Sequence, residues 1–144
     1  AKTNGSLEIS LKLPTFANRR NDMKGRRDTL STGRKGEALA AEFLIKKGFR
    51  VYHTNWRAGH KELDIVAGKE NRVHFVEVRS RSSENYGLAQ ESVTVRKKLK
   101  LRQLAWQYLK AAGETDRSCR FDVVAVLFNR EGRVKRLEHI EDAF

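Results

Sequence analysis

Two short β-type segments, ELDIVAG and RVHFVEVRS, follow one another in the chain with the turn-forming residues GKEN between them. Side chains alternate between the two faces of a strand, so this pair predicts a hairpin that buries one face. Asp64 and Glu77 fall on neighbouring strands, where their carboxylates can converge. The opposite face is expected to carry the apolar residues Leu63, Ile65, Val76 and Val78.

The segments around the hairpin predict an α/β domain. A helical pattern, STGRKGEALAAEFLIKKGF, precedes it, with Ser31 or Thr32 as candidate N-cap and Gly48 as a left-handed terminator. FRVYHTNW reads as a strand, VTVRKKLKLRQLAWQYLKAAG as a second helix, and FDVVAVLFN and VKRLEHI as two further strands. This order predicts a mixed central sheet of five strands flanked by helices.

The first helix is expected to present one stripe to the core. Its members are Glu37, Ala40, Ala41, Leu44 and Ile45. An inward carboxylate needs a partner, so Glu37 is a candidate site residue. A role in the first turn, where acidic side chains suit the helix dipole, is the alternative explanation for this residue.

Length and composition bound the remaining possibilities. A chain of 144 residues suits one domain, which we place at residues 23–144. Residues 1–22 lack a clear period and are expected to form a poorly ordered extension; Met23, the sole methionine, is a candidate natural start. One cysteine and no long apolar stretch favour a cytoplasmic protein.

The formal net charge of +12 predicts a polyanionic partner. Nucleic acid is the expected partner, with DNA favoured over RNA, because such a field attracts phosphate backbones. The basic side chains expected to contact it are Arg34, Lys35, Arg81 and Lys98. Solvated surface charge explains Arg34 and Lys35 equally well, and for Lys98 taken singly it is the better explanation. The four histidines show no metal-ligand spacing, and we assign them no chemistry.

Two neighbouring carboxylates repel each other unless a cation or a shared proton joins them. Mg²⁺ or Mn²⁺ is the simplest solution, because hard cations prefer oxygen ligands and leave positions for water and phosphate. Asp64 and Glu77 are therefore the candidate metal ligands. An ordinary ion pair between Glu77 and Arg79 at an exposed rim stays open as an alternative. Lys97 lies on the inward stripe of the second helix and points toward the sheet.

Five blocks in a fixed order resemble the YraN-like family of uncharacterised bacterial proteins. They are GRKGEALAAEFLIKKGFRVYHTNWR, ELDIVA, VHFVEVRSRS, GLAQESVTVRKKLKLRQLAWQYL and RFDVVAV. That family is grouped with the PD-(D/E)xK nucleases and is similar to archaeal Holliday-junction resolvases. The resemblance implies a restriction-endonuclease-like core in which Asp64 and Glu77 bind the metal, Glu37 lies beside them and Lys97 belongs to the pattern. A homodimer is a further expectation.

The chain departs from this pattern at two positions. Lys61 stands where the family usually has glycine, and Arg79 stands where the superfamily has its third catalytic residue, a lysine. Arginine stays protonated at physiological pH, so Arg79 can contact a phosphate but cannot take a proton from water. We therefore expect a metal-dependent endonuclease acting on branched or structured DNA, with Arg79 and Lys97 at the scissile phosphate. A non-catalytic nucleic-acid-binding module is the alternative.

Overall fold

The computed structural model describes residues 28–82 and 93–144, which form a five-stranded sheet with a helix on each face. The elements in chain order are α1 (Asp28–Lys46), β1 (Arg50–Ala58), β2 (Lys61–Lys69), β3 (Arg72–Ser82), α2 (Val95–Ala112), β4 (Cys119–Phe128) and β5 (Val134–Ile140). The spatial order is also β1 to β5, with β3 and β4 parallel and the other pairs antiparallel. The predicted mixed α/β sheet is confirmed and matches a restriction-endonuclease-like core. The predicted extension, residues 1–22, lies outside the described residues.

The core consists of two layers, one on each side of the sheet. The α1 layer contains Ala40, Ala41, Leu44, Phe49, Val51, Ile65, Ala67, Val76, Val124, Val126 and Phe128. The α2 layer contains Tyr52, Leu63, Val66, Val73, Phe75, Val93, Leu101, Leu104, Ala105, Tyr108, Leu109, Phe121 and Val123. The central strands therefore contribute apolar side chains to both faces, as a sheet covered on both sides requires.

A two-residue turn joins β2 to β3 and fixes the register of the hairpin. Lys69 pairs with Arg72, and the two residues between them have positive φ angles, 51° at Glu70 and 67° at Asn71. Positive φ at both central positions is the type I′ geometry, whose twist matches that of the flanking strands. The predicted hairpin is confirmed. Its register places Ile65 opposite Val76, and Asp64 and Glu77 are the next residues of the two strands in the direction away from the turn.

Two local predictions for the first helix are wrong. The helix begins at Asp28, so Ser31 and Thr32 lie within its first turns and neither is the N-cap. Ile45 is 54% exposed, because it lies one residue, about 100°, beyond Leu44 and so leaves the buried stripe. The predicted left-handed terminator is confirmed, since Gly48 has a φ of 94°.

The prediction that Leu63 shares a face with Ile65 is also wrong. Leu63 packs in the α2 layer together with Val66, whereas Ile65 packs in the α1 layer. Strict alternation along β2 therefore fails around Asp64. On the adjacent strand, Asn55 has a φ of 54° and lies between the pairs Thr54↔Ile65 and Trp56↔Leu63. A residue in the left-handed region of backbone conformation changes the direction of its strand, and Asn55 occupies this region next to the acidic residues.

A glycine brings α1 unusually close to the sheet. A Cβ atom at Gly36 would collide with the side chain of Ser80 on β3, so a larger residue here would force one of them to move. The contact fixes the position of the neighbouring Glu37 relative to the strands. Among the described residues, neither helix is long and apolar enough to cross a membrane.

Candidate metal centre

Three carboxylates from α1 and β2 converge at one end of the sheet. Glu37, Glu62 and Asp64 each offer an oxygen, and these atoms all lie within 4.8 Å of one another. The close approach of α1 at Gly36 brings in the helical carboxylate, and the other two lie two residues apart on β2. We refer to Glu37, Glu62 and Asp64 as the acidic cluster.

The side chain of Asn55 joins two members of the acidic cluster. Its amide nitrogen donates one hydrogen bond to Glu37 Oε1 at 2.9 Å and another to Glu62 Oε1 at 2.8 Å. Glu62 also accepts from the exposed Arg57, with Nε 2.9 Å from Oε2. Hydrogen bonds to ionised carboxylates are stronger than neutral ones, so Asn55 holds the helix and the strand at a fixed separation.

Asp64 lies in an environment that opposes its ionised form. Burial raises its pKa well above 3.8, and the neighbouring carboxylates of Glu77 and Glu37 raise it further. A hydrogen bond from the Val78 amide to Oδ2 at 2.8 Å acts in the opposite direction but does not offset these effects, and a side-chain hydrogen bond with Glu77 raises the pKa further. A carboxyl group whose pKa is raised in this way is stabilised by a proton or by a cation close to it.

The pKa of Glu37 is raised for similar reasons. Burial is the largest cause, and Glu62 and Glu77 add to it by charge repulsion. The hydrogen bond from Asn55 and the charge of Arg34 lower it in part. The end of the sheet therefore concentrates more negative charge than its immediate surroundings neutralise.

Glu77 lies deeper in the sheet, where two cations neutralise it. It is 5% exposed, its Oε2 lies 2.6 Å from Lys97 Nζ, and the same oxygen lies 3.4 Å from Arg79 Nη1. Lys97 reaches it from the first turn of α2, where Thr94 caps the helix by accepting from the Lys97 amide. The predicted inward direction of Lys97 is present in the structure; the Glu77–Arg79 pair is also present, but Glu77 is buried and does not lie at an exposed rim.

The acidic cluster has the ligand chemistry of a Mg²⁺ or Mn²⁺ site. Its donors are hard carboxylate oxygens, they come from two separate elements, and they lie within reach of a single ion. The raised pKa of Asp64 means that a proton or a cation at this position would stabilise the carboxyl group. The residues therefore fit a divalent metal, with Glu62 and Glu37 beside Asp64, whereas Glu77, the other predicted ligand, lies outside this group and is paired with Lys97 and Arg79.

The predicted phosphate contacts fall into two groups. Arg34 lies near the acidic cluster, since its charge lowers the pKa of Glu37, and the Nε of Arg81 is buried with no hydrogen-bond partner among the described residues. Lys35 instead donates to the Gly132 carbonyl at 2.6 Å. Lys98 lies over the ring of Phe144, 5.6 Å from its centroid. The structure thus brings Arg34 toward the cluster, whereas the two lysines make contacts elsewhere.

A second buried carboxylate, that of Asp122, lies in the α1 layer. Its surroundings favour the ionised form, in contrast to those of Asp64. Asp122 is fully buried; its Oδ2 lies 2.8 Å from His74 Nδ1 and 2.9 Å from His139 Nε2, and its Oδ1 accepts from the Asp142 amide at 2.9 Å. These hydrogen bonds lower its pKa far below 3.8 although burial acts to raise it. Lys47 Nζ lies 2.7 Å from the other nitrogen of His139.

Sequence reasoning missed Glu62 as a ligand, Asn55 as a link and the histidine cluster. Glu62 had a signal, since it shares the alternation of Asp64 on the same strand. The position of Asn55 depends on the left-handed backbone, which no spacing in the sequence reveals. His74 and His139 lie on β3 and β5 and meet only because both flank β4 in the sheet.

Several known proteins are similar in sequence to this chain. A family model described as "Uncharacterised protein family UPF0102" matches residues 36–126. A UPF0102 protein of Pelotomaculum thermopropionicum is 60% identical over 112 residues, which cover 78% of this chain and 93% of that protein. One of Moorella thermoacetica is 49% identical over the same coverage, and one of Desulforamulus reducens is 43% identical over 113 residues, covering 77% and 93%. The matched region includes every residue of the acidic cluster.

Proposed function

The chain belongs to the uncharacterised protein family UPF0102, and from that premise we propose that it is a metal-dependent nuclease that hydrolyses phosphodiester bonds in DNA, including branched or structured DNA. Membership confirms the resemblance to the YraN-like family. The observation that carries the proposal is the acidic cluster, in which three carboxylates approach within 4.8 Å beside a buried glutamate and a lysine.

The residues divide into those that hold a cation and those that contact phosphate. Glu37, Glu62 and Asp64 would hold Mg²⁺ or Mn²⁺, with Glu77 next to them. When bound, such an ion supplies Lewis acidity and neutralises charge that develops on the phosphate. Arg79 presents a guanidinium that suits phosphate oxygens.

Arg79 stands where the superfamily has a catalytic lysine, and Lys97 is the candidate residue for supplying the missing amine. Its Nζ lies 2.6 Å from Glu77 Oε2, so an amine already reaches this end of the sheet from α2. A lysine can lose its proton in a suitable environment, whereas Arg79 cannot. We propose that Lys97 positions Glu77 in the resting protein and donates to the scissile phosphate of the substrate.

One observation supports the alternative of a non-catalytic DNA-binding module. Glu77 is already paired with Lys97 and Arg79, and a neutralised carboxylate is a weaker metal ligand. The net charge of +12 supports nucleic-acid binding in either case. The two functions differ in whether the acidic cluster binds a cation and whether bonds are cleaved.

The test is cleavage of labelled single-stranded, duplex, flap and four-way-junction DNA with Mg²⁺ or Mn²⁺. We expect the wild type to cleave at least one substrate, Asp64→Ala and Glu77→Ala to abolish cleavage, and the control Glu42→Ala to retain it. Glu42 is an exposed carboxylate of α1 outside the cluster. Absence of cleavage by the wild type, with salt-sensitive binding intact, would leave the binding module. Tighter binding to structured RNA than to any DNA would contradict the preference for DNA.

Two substitutions test the roles of the cations. Arg79→Lys restores the superfamily residue and is expected to raise cleavage; a change in binding alone would favour the module. Lys97→Met is expected to lower metal-dependent cleavage, and unchanged cleavage would exclude Lys97 from the reaction.

A further inference from the structure

A groove of about 540 Å³ lies between the N-terminal half of α2 and the beginning of β2. Four of its lining side chains are cationic: Lys61, Arg96, Lys97 and Lys100. One carboxylate, Glu62, also lines it, and that carboxylate is already bonded to Arg57 and Asn55. The groove is therefore strongly positive, although it adjoins the most acidic part of the molecule.

The groove and the acidic cluster share residues. Glu62 belongs to both, and Lys97 lines the groove while its Nζ contacts Glu77. A ligand in the groove thus has one end next to the carboxylates. A chain of phosphates that occupied the groove would continue into the candidate metal centre.

The groove also has an apolar wall. Leu101 and Leu104 line it, and both belong to the α2 layer of the core. Cations beside an apolar surface suit a ligand that combines phosphate with a flat, weakly hydrated ring. The bases of a duplex are paired and stacked and cannot turn toward such a wall, whereas unpaired bases can.

We propose that this groove binds an unpaired strand of nucleic acid that leads into the acidic cluster. Lys61, Arg96 and Lys100 contact its phosphates, and an unstacked base lies against Leu101 and Leu104. The protein thereby distinguishes substrates with a single-stranded segment from uninterrupted duplex. The inference rests on the proposed function, because it places the scissile bond at the end of the groove that adjoins the acidic cluster.

The experiment measures binding without any divalent metal. Fluorescence anisotropy with labelled oligothymidylate, and with a duplex of equal length, is recorded across a salt series in EDTA. The groove variant is Arg96→Ala/Lys100→Ala, and the control is Lys110→Ala/Lys135→Ala. The control removes the same charge at exposed positions of α2 and β5 that do not line the groove.

We expect the wild type to bind oligothymidylate more tightly than duplex, and the groove variant to lose that preference. The slope of log K against log salt for oligothymidylate should fall by roughly 1.4, about 0.7 for each lost phosphate contact. The control variant should keep the preference. Equal losses in both variants, or wild-type binding that favours duplex, would overturn the proposal.

A parallel cleavage assay with Mn²⁺ separates this inference from the proposed function. Groove-dependent binding of oligothymidylate without cleavage of any substrate would sustain the groove and refute the nuclease. Cleavage by the wild type together with unchanged binding by the groove variant would sustain the nuclease and refute the groove.

Discussion

Two aspartates in the same sheet, Asp64 on β2 and Asp122 on β4, differ in what surrounds them. Asp122 lies within hydrogen-bonding distance of two histidines and a backbone amide, and its pKa is lowered. Asp64 faces other carboxylates, and its pKa is raised. Both are removed from solvent to a large extent, so burial alone does not explain the difference. The donors around Asp122 stabilise its ionised form within the fold, whereas the carboxylates beside Asp64 oppose its ionised form.

This contrast separates a cluster that stabilises the fold from one that we propose to be functional. The Asp122 hydrogen bonds connect β3, β5 and the turn after β5, which holds the edge of the sheet together. The acidic cluster connects α1 with β2, yet its charges oppose the folded state. Groups that destabilise a fold while converging on one point are characteristic of binding and catalytic sites.

The largest expected effect is loss of stability on removing the charge of Asp122. Asp122→Asn should lower the free energy of unfolding by about 3 kcal/mol, because two buried imidazoles lose a charged acceptor. Urea denaturation at neutral pH measures it. The lowered pKa means that this stabilisation is present above 3.8 and is lost as the pH falls. A stability equal to that of the wild type at neutral pH would contradict the structural role.

The next effect concerns the link within the acidic cluster. Asn55→Ala should lower the free energy of unfolding by about 2 kcal/mol, because two hydrogen bonds to carboxylates are lost and alanine resists the left-handed backbone. Asn55→Gly is the matched control, since glycine accepts a φ of 54° but also lacks the amide. Denaturation curves that coincide for both variants would attribute the whole loss to the hydrogen bonds. No loss in either would show that the amide does not hold the cluster.

A smaller effect of opposite sign is expected at Asp64. Asp64→Asn should raise the free energy of unfolding by about 1 kcal/mol at neutral pH in EDTA, because it removes a charge that Glu77 and Glu37 repel. The variant keeps an oxygen to accept from the Val78 amide. Thermal unfolding in metal-free buffer measures the gain. A loss as large as that of Asp122→Asn would abolish the contrast between the two aspartates.

The smallest expected effect is the pH dependence of the stability that Asp64→Asn gains over the wild type. The folded-state pKa of Asp64 is raised above 3.8, so the folded wild type binds more protons than the unfolded chain between 3.8 and the raised value. Wild-type stability from this group therefore falls as the pH rises through that window, and the advantage of Asp64→Asn should grow with it. Unfolding curves of both proteins across this range test the sign. An advantage independent of pH would contradict the raised pKa.

Periodicity and turn chemistry were sufficient to predict the sheet, both helices and the hairpin. The β2–β3 register follows from the turn and from alternation, and it places Asp64 and Glu77 on adjacent strands. The left-handed backbone of Asn55 was not predictable, because it occurs within a strand of ordinary composition. The failure of alternation that places Leu63 in the α2 layer was not predictable either.

The acidic cluster was therefore only partly predictable. Glu37, Glu62 and Asp64 lie on faces that helix and strand periods predict, whereas the close approach of α1 to the sheet depends on the three-dimensional fold. The Asp122 cluster needs the strand order, since its histidines come from sequence positions far apart. Contacts between distant segments depend on topology, which local patterns do not specify.

The central claim is that the acidic cluster requires a cation, and calorimetric titration of the protein with Mn²⁺ tests it most directly. We predict one binding event in the wild type, its loss in Asp64→Asn and in Glu62→Gln, and its retention in the control Glu42→Gln. Titrations that show no binding to the wild type, or equal binding to all four proteins, would contradict the account.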